Sequence, residues 1–125
     1  MILLLDAHAI LWALSEPESL AADARGAIES PNNDVVVSVG SIWELEIKQA
    51  LGKLRIEIDL LDGMERAGFD ILGISAADAS SAARLPLHHR DPFDRMLIAQ
   101  ARRLGAVIVT RDEMFSRYEV DTLTA

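Results

Sequence analysis

Residues 2–14, ILLLDAHAILWAL, place a short apolar run, an aspartate and a longer apolar segment directly after one another. The run Ile2–Leu5 is too short for a helix and predicts a buried strand. Residues 7–14 are apolar nearly all round, which predicts a buried or interface helix. Asp6 lies at the junction between them. This stretch therefore indicates a strand that is followed at once by a helix, with an acid at the strand end.

The same alternation continues along the rest of the chain. Further strands are predicted at 35–37, 71–74 and 107–109, with an edge strand at 120–123 and an extended segment at 53–58. Helices are predicted at 18–29, 41–51, 60–67, 76–84, 92–104 and, as a short turn, 113–118. The strands are continuous apolar runs, which is typical of a mostly parallel sheet that is covered by helices on both faces. The sequence therefore predicts an α/β fold.

Composition limits the function classes. The 125 residues suit one domain, 1–125, and half of them are apolar. The absence of cysteine excludes disulfides, thiolate zinc sites and cysteine nucleophiles. A net charge of −8 argues against a broad basic face for nucleic acid. No basic segment precedes the first apolar run, and no apolar run reaches the ~20 residues of a membrane span. We expect a soluble, cytoplasmic protein without membrane contact.

Acidic residues follow the predicted strands. Asp6 comes directly after the first strand, Asp112 comes shortly after the strand at 107–109, and Glu44 lies in the helix after the second strand. Asp91 and Asp94 flank the start of the long helix. Because the carboxyl ends of parallel strands meet at one edge of a sheet, several of these acids are expected to lie close together.

Helix capping is the alternative explanation for each acid taken alone. Asp6, Asp91 and Asp112 each precede a helix, where aspartate is a favoured cap, and Ser41-Ile-Trp-Glu44 fits a capping box. Several converging carboxylates would repel one another, however, and their pKa values would rise. A divalent cation removes that cost, and Mg²⁺ or Mn²⁺ prefers oxygen ligands. Such an ion could activate a water and stabilise a leaving oxygen.

Other polar and aromatic residues near the acids have two interpretations each. Four basic side chains could contact phosphate or merely form surface ion pairs: Lys48, Arg90, Arg95 and Arg111. His88 and His89 are interpreted as loop residues, whereas His8 could orient a neighbouring acid. Trp12 and Trp43 are expected to pack in the core or an interface rather than stack on bases.

The complete set of motifs resembles the PIN-domain family and, within it, the VapC-like toxins of type II toxin–antitoxin systems. The matching stretches are LLLDAHAILWAL at 3–14, SVGSIWELEIKQALGKL at 38–54, LPLHHRDPFDRMLIAQA at 85–101 and VTRDEMFSRYEV at 109–120. The third stretch is the most specific. The resemblance implies a three-layer α/β/α sandwich with a mainly parallel central sheet. It also implies an endoribonuclease, dependent on Mg²⁺ or Mn²⁺, that hydrolyses RNA with metal-activated water and is inhibited by an antitoxin.

The resemblance assigns the catalytic and metal-binding roles to Asp6, Glu44, Asp94 and Asp112. Asp91 would cap the helix or contact the metal ligands without binding the metal itself. One departure is Ala7, since a threonine often follows the first aspartate in this family. Ser38 or Thr110 could supply the missing hydroxyl.

Three other functions remain open. A binding module could have kept the fold and lost activity, which the missing hydroxyl at position 7 would favour. A metal-dependent nuclease that acts on DNA would need much the same pocket for metal and phosphate, so the residues do not separate DNA from RNA as the substrate. A signalling receiver domain needs an aspartate after its third strand, which accepts the phosphate, and a lysine after its fifth strand. It fits poorly, because Ser75 follows the third strand here and the only lysines are Lys48 and Lys53.

The apolar segment 9–14 also predicts a partner. One face of its helix must cover the sheet, and the other would face solvent unless something covers it. A fully buried helix would need no partner. We favour a half-buried helix that binds an antitoxin segment or a second subunit, and a homodimer is expected.

Overall fold

The computed structural model describes all residues from Met1 to Ala125 and contains five strands and six α-helices. In chain order these are β1 (Ile2–Leu5), α1 (Ala7–Ser15), α2 (Ala22–Glu29), β2 (Asp34–Ser38), α3 (Val39–Ala50), α4 (Leu60–Ala67), β3 (Asp70–Leu72), α5 (Ala76–Arg84), α6 (Pro92–Leu104), β4 (Val107–Thr110) and β5 (Asp121–Thr124). Short 3₁₀ turns form at Pro17–Ser19 and Glu113–Arg117.

Two predicted elements differ most in their bounds. The helix expected at 18–29 begins only at Ala22, because Pro17 opens a separate 3₁₀ turn that ends at the extended Leu20. The strand expected at 71–74 is Asp70–Leu72. The segment 53–58 joins no strand, so its alternating side chains do not reflect sheet pairing.

The five strands form one sheet in the order β3-β2-β1-β4-β5, and all four pairings are parallel. β1 is central: Leu3 is in register with Val35 of β2 on one side and Val107 of β4 on the other. The chain goes from β1 to β2 in one direction and later places β4 on the opposite side. The strand order therefore reverses between β1 and β4, which is where open parallel sheets bind their ligands.

The alternation of side chains along β1 divides the core between two faces. Leu3 and Leu5 face one cluster, which includes Ile10 of α1 and Met64 of α4. Leu4 faces a second cluster, formed largely by α6 and the 3₁₀ turn that holds Phe115. Helices thus cover both faces, and the predicted three-layer sandwich is confirmed. None of the helices in the structure has the length and apolar character needed to cross a bilayer.

Candidate metal centre

Asp6 and Asp112 extend from the carboxyl ends of the two strands that flank the reversal point. Both also cap the helical turns that follow. One Asp6 oxygen accepts from the Ala9 N–H at 2.9 Å, and Asp112 Oδ1 accepts from the Met114 N–H at 2.9 Å. Capping uses only one oxygen of each carboxyl group. The capping and site interpretations are therefore compatible, since the cap leaves the second oxygen of each residue to face the site.

The start of α6 supplies Asp91 and Asp94. Asp91 caps the helix, because its Oδ1 accepts from the N–H groups of Phe93 at 2.8 Å and Asp94 at 3.3 Å. Asp94 lies in the first helical turn, with its side chain 18% exposed. The capping box expected at Ser41–Glu44 is absent. Ser38 caps α3 instead, since the chain becomes helical directly after β2 and Ser41 lies inside the helix.

His89 lies between two of the acids. Its Nε2 is 2.8 Å from Asp94 Oδ2 and 3.0 Å from Asp112 Oδ2. The Asp91 N–H donates to the other ring nitrogen, Nδ1, at 3.3 Å, so the ring proton belongs on Nε2 and points at the carboxylates. His89 does lie in a loop, as the sequence indicated, but its ring reaches the site. The signal that identifies it is its position two residues before the Asp91 cap.

The environment of Asp94 raises its pKa to about 7. Burial is the largest cause, followed by repulsion from Asp91; His89 acts in the opposite direction, and Glu44 and Asp6 add smaller repulsions. Burial also raises the pKa of Asp6, against hydrogen bonds from the Thr110 hydroxyl and the Ala9 N–H. These mutual effects indicate that the predicted acids lie near one another and carry more negative charge than the protein balances.

Glu44 is almost completely buried, and its Oε2 accepts from Lys48 Nζ at 2.9 Å one helical turn later. This contact raises the pKa of Lys48, and the charges of Asp91 and Asp94 contribute further. Lys48 therefore lies beside the acidic site, with Glu44 as its direct partner.

Thr110 links two of the acids. Its Oγ1 accepts from the Asp112 N–H at 3.0 Å, while its hydroxyl interacts with the Asp6 carboxyl. Thr110 therefore places a hydroxyl beside Asp6, and its replacement of the hydroxyl that Ala7 lacks stays a prediction. Ser38 is fully buried, but its Oγ accepts from the Gly40 N–H at 3.1 Å in its own cap.

Two arginines expected near phosphate are already engaged elsewhere. Arg95 is buried, and its terminal nitrogens donate to backbone carbonyls. Arg111 donates to the carbonyl oxygens of Ala125, at 2.7 Å, and Ser19, and its guanidinium lies 4.0 Å from the Trp12 ring centroid. The burial of Arg95 contradicts a phosphate contact for that residue, whereas Arg111 is exposed and its phosphate contact stays a prediction. Arg90 is exposed beside Asp91 and stays a candidate.

The tryptophans differ from each other. Trp12 is half-buried, packs against the larger core cluster and has its ring 5.6 Å from that of His8. Trp43 is 61% exposed and contacts Phe93 edge-on, with the ring centroids 5.6 Å apart. Trp43 therefore does not pack in the core, because α3 turns that position away from the sheet, and packing in an interface stays a prediction.

The donor atoms fit a divalent cation. Asp94 and Asp112 each offer a carboxylate oxygen, and these oxygens lie within 4.8 Å of each other and of the His89 ring nitrogen that donates to them. Asp6 and Glu44 are outside this compact group but contribute to the charge around Asp94. A cation would attract the ionised Asp94 carboxylate. It would thereby offset both the repulsion from the other acids and the cost of burying a negative charge, which together raise the pKa of Asp94. The carboxylates of Asp94 and Asp112, with those of Asp6 and Glu44 nearby, are a suitable oxygen ligand set for Mg²⁺ or Mn²⁺.

Comparison with known proteins places this geometry in a family. The model of the PIN domain matches residues 3–121. Ribonuclease VapC22 of Mycobacterium tuberculosis is 30% identical over 112 residues, covering 87% of this chain and 85% of the relative. The fold is similar to that in the crystal structure of VapBC2 from Rickettsia felis bound to a promoter DNA fragment, with a TM-score of 0.73, 16% identity and 98% coverage of each chain. A toxin–antitoxin complex from Klebsiella pneumoniae gives a TM-score of 0.63 at 20% identity, covering 97% of this chain and 95% of the other. The chain belongs to the PIN-domain family.

Proposed function

We propose that this protein is an endoribonuclease that hydrolyses RNA phosphodiesters and acts as the toxin of a toxin–antitoxin pair. The observation that carries the proposal is the convergence of Asp94, Asp112 and His89 at the reversal point of the sheet, with Asp6 and Glu44 nearby. Membership of the PIN-domain family and the 30% identity to ribonuclease VapC22 support the RNA substrate.

We assign the metal ligands to Asp6, Glu44, Asp94 and Asp112, directly or through water, with His89 in contact with two of them. When bound, Mg²⁺ or Mn²⁺ supplies positive charge for a phosphate and lowers the pKa of a water. The protein's own residues orient this site. Thr110 holds Asp6 and the Asp112 backbone, and Lys48 balances part of the charge of Glu44.

An inactive PIN-fold binding module is the second candidate, and Ala7 is the observation that favours it. The Thr110 hydroxyl weakens this alternative, because it already interacts with the Asp6 carboxyl that a threonine at position 7 could have bonded. The four predicted acids are also all present.

Cleavage of single-stranded RNA and DNA with Mn²⁺, Mg²⁺ or excess EDTA tests the function. We expect RNA cleavage that requires the metal and is lost in Asp6→Asn, which keeps the side-chain shape and removes the charge. Asp62→Asn, on the exposed face of α4 in an ion pair with Arg66, is the matched control and should retain activity. Full activity in EDTA or in Asp6→Asn would overturn the mechanism, and cleavage of DNA alone would overturn the substrate class.

We also propose a single nuclease domain over 1–125, cytoplasmic localisation, a homodimer and an antitoxin partner. A groove of 720 Å³ between α1 and the segment 54–58 supports the partner, since Leu11, Trp12 and Leu14 line it. An amphipathic helix could place its apolar side chains there. The similarity of the fold to a solved toxin–antitoxin complex from Klebsiella pneumoniae supports an antitoxin as the partner.

A further inference from the structure

Arg95 of α6 directs both terminal nitrogens of its guanidinium at backbone carbonyls. The two nitrogens donate to five carbonyl oxygens: Ala82 at 2.9 Å, Ala83 at 3.3 Å, Leu85 at 2.8 Å, Pro86 at 3.0 Å and His89 at 3.1 Å. Arg95 is 8% exposed, and no carboxylate pairs with it. A buried charge is costly unless its surroundings compensate it, so this arrangement calls for an explanation.

The five carbonyls belong to the end of α5 and to the connection 85–91. Those of Ala82 and Ala83 lie in the last turn of α5, where a helix lacks the N–H groups of a following turn, and the Ala82 carbonyl accepts only a long 3.5 Å bond from the Leu85 N–H in addition. The connection itself has no helix or strand, and none of its N–H groups between Pro86 and Arg90 donates to a backbone carbonyl. Its conformation therefore depends on side chains that reach it from elsewhere.

Tyr118 provides the second such contact. Its hydroxyl donates to the Pro86 carbonyl at 2.6 Å and accepts from the His89 N–H at 2.8 Å. Arg95 and Tyr118 thus bind the same two residues of the connection, one of which is His89. The carbonyl and the N–H of His89 are both fixed, and its ring lies between Asp94 and Asp112.

We propose that Arg95, together with Tyr118, is a positioning residue of the metal centre: it fixes the connection 85–91 so that the His89 ring lies between the carboxylates of Asp94 and Asp112. The consequence for cleavage rests on the proposed function, whereas the positioning itself does not. Arginine suits this task because it has five N–H donors in a rigid fork, while lysine has three on a flexible stem and methionine has none.

The simpler explanation is that Arg95 only joins α6 to α5. Arg103, two turns further along α6, provides the comparison. It forms a bidentate pair with the buried Asp78 of α5, at 2.7 and 2.9 Å, and donates no hydrogen bond to the connection. If joining the helices were the whole role of Arg95, then Arg95→Lys and Arg103→Lys should have the same effects.

The test uses the nitrogen NMR signals of histidine rings in the metal-free full-length protein, at a pH well above the ordinary imidazole pKa. The chain has three histidines, so ¹⁵N-histidine labelling with His8→Gln and His88→Gln assigns His89. In the wild type, the two ring nitrogens of His89 should give well separated signals, because only Nε2 carries the proton. In Arg95→Lys we expect them to converge towards those of the exposed His8, while Arg103→Lys leaves them unchanged.

Thermal unfolding of each variant is measured in parallel. Equal destabilisation by Arg95→Lys and Arg103→Lys, with unchanged His89 signals, would overturn the proposal. If Arg95→Lys does not fold, Tyr118→Phe decides: it keeps the ring packing, and a His89 spectrum identical to the wild type would contradict the proposal. A wild type that cleaves no RNA would overturn the proposed function and leave this test intact.

Discussion

At the scale of single residues, Asp94 has the largest shift in proton affinity in the molecule. Burial and the charge of Asp91 raise its pKa to about 7, so much of the metal-free protein carries a proton on this side chain near neutral pH. A cation at the site would compete with that proton, since both stabilise the same carboxyl group. Metal affinity should therefore increase as the pH rises through the pKa of Asp94.

The same shift predicts how stability depends on pH. The pKa of Asp94 is about 7 in the folded protein and ~3.9 in the unfolded chain, so between these values only the folded state binds the proton. This stabilisation is fully present below the unfolded pKa and is lost as pH rises through the folded pKa. In EDTA, the free energy of unfolding should fall by of the order of 2–3 kcal/mol between pH ~5 and ~8, relative to Asp94→Asn.

Urea unfolding of the wild type and Asp94→Asn across this range provides the measurement. Saturating Mn²⁺ should reduce the dependence, because the ion replaces the proton. Parallel curves for the two proteins in EDTA would show that Asp94 does not titrate in this window.

At the scale of elements, the beginnings of helical turns give the acids a second role. Asp6, Asp91 and Asp112 all accept backbone N–H groups from the first turn that follows them. A helix start favours negative charge there. The strand–helix junctions therefore fix the backbone of the acids, while the remaining carboxyl oxygens of Asp6 and Asp112 are directed by the tertiary structure.

Asp91 and Asp94 can be separated by substitution at the start of α6. Asp91→Ser keeps a capping oxygen and should retain much of the RNA cleavage, whereas Asp94→Ser should not. Asp91→Ala removes the cap and should lower the free energy of unfolding by ~1 kcal/mol. The measurements are cleavage rate and urea unfolding. Equal inactivity of folded Asp91→Ser and Asp94→Ser would mean that Asp91 itself binds the metal.

At the scale of the whole molecule, α1 is only partly covered by its own chain. Ala9 and Ile10 are fully buried against the sheet, whereas Leu11, Trp12 and Leu14 remain half-exposed beside the groove. Arg111 covers one face of the Trp12 ring. This half-buried state is the one expected for a helix that binds a partner through its outer face.

Replacing Leu11 and Trp12 by Ser should weaken binding to the proposed antitoxin partner by at least tenfold, because the groove loses two large apolar side chains. Leu51→Ser removes a side chain that is 64% exposed and does not line the groove, so it should bind as the wild type does. Affinity by calorimetry and mass by light scattering are the measurements. Unfolding of the double variant without selective loss of association by folded Leu11→Ser would refute the interface.

The sequence by itself determined the alternation of elements and the acids at the junctions. A short apolar run such as Ile2–Leu5 is stable as a strand that is buried on both faces. The aspartate after it is favoured there because it caps the helix that follows. Helices α4, α5 and α6 could be bounded in the same way, because Gly68 and Gly105 have positive φ at the helix ends and Ser75 and Asp91 occupy the starts. The order of the four motifs along the chain was sufficient to predict the PIN-domain family.

Only the tertiary structure decided which side chains meet. The position of His89 two residues before the Asp91 cap places it near the start of α6, but His89 is 23 residues from Asp112 along the chain, and that position does not indicate a ring 3.0 Å from the Asp112 carboxylate. Arg95 and Arg90 look alike as sequence neighbours of the acids, yet one is buried under carbonyls and the other is exposed. The exposure of Trp43 has the same origin. Periodicity describes one element at a time, whereas these contacts arise from the packing of α6 and the connection before it against the end of the sheet.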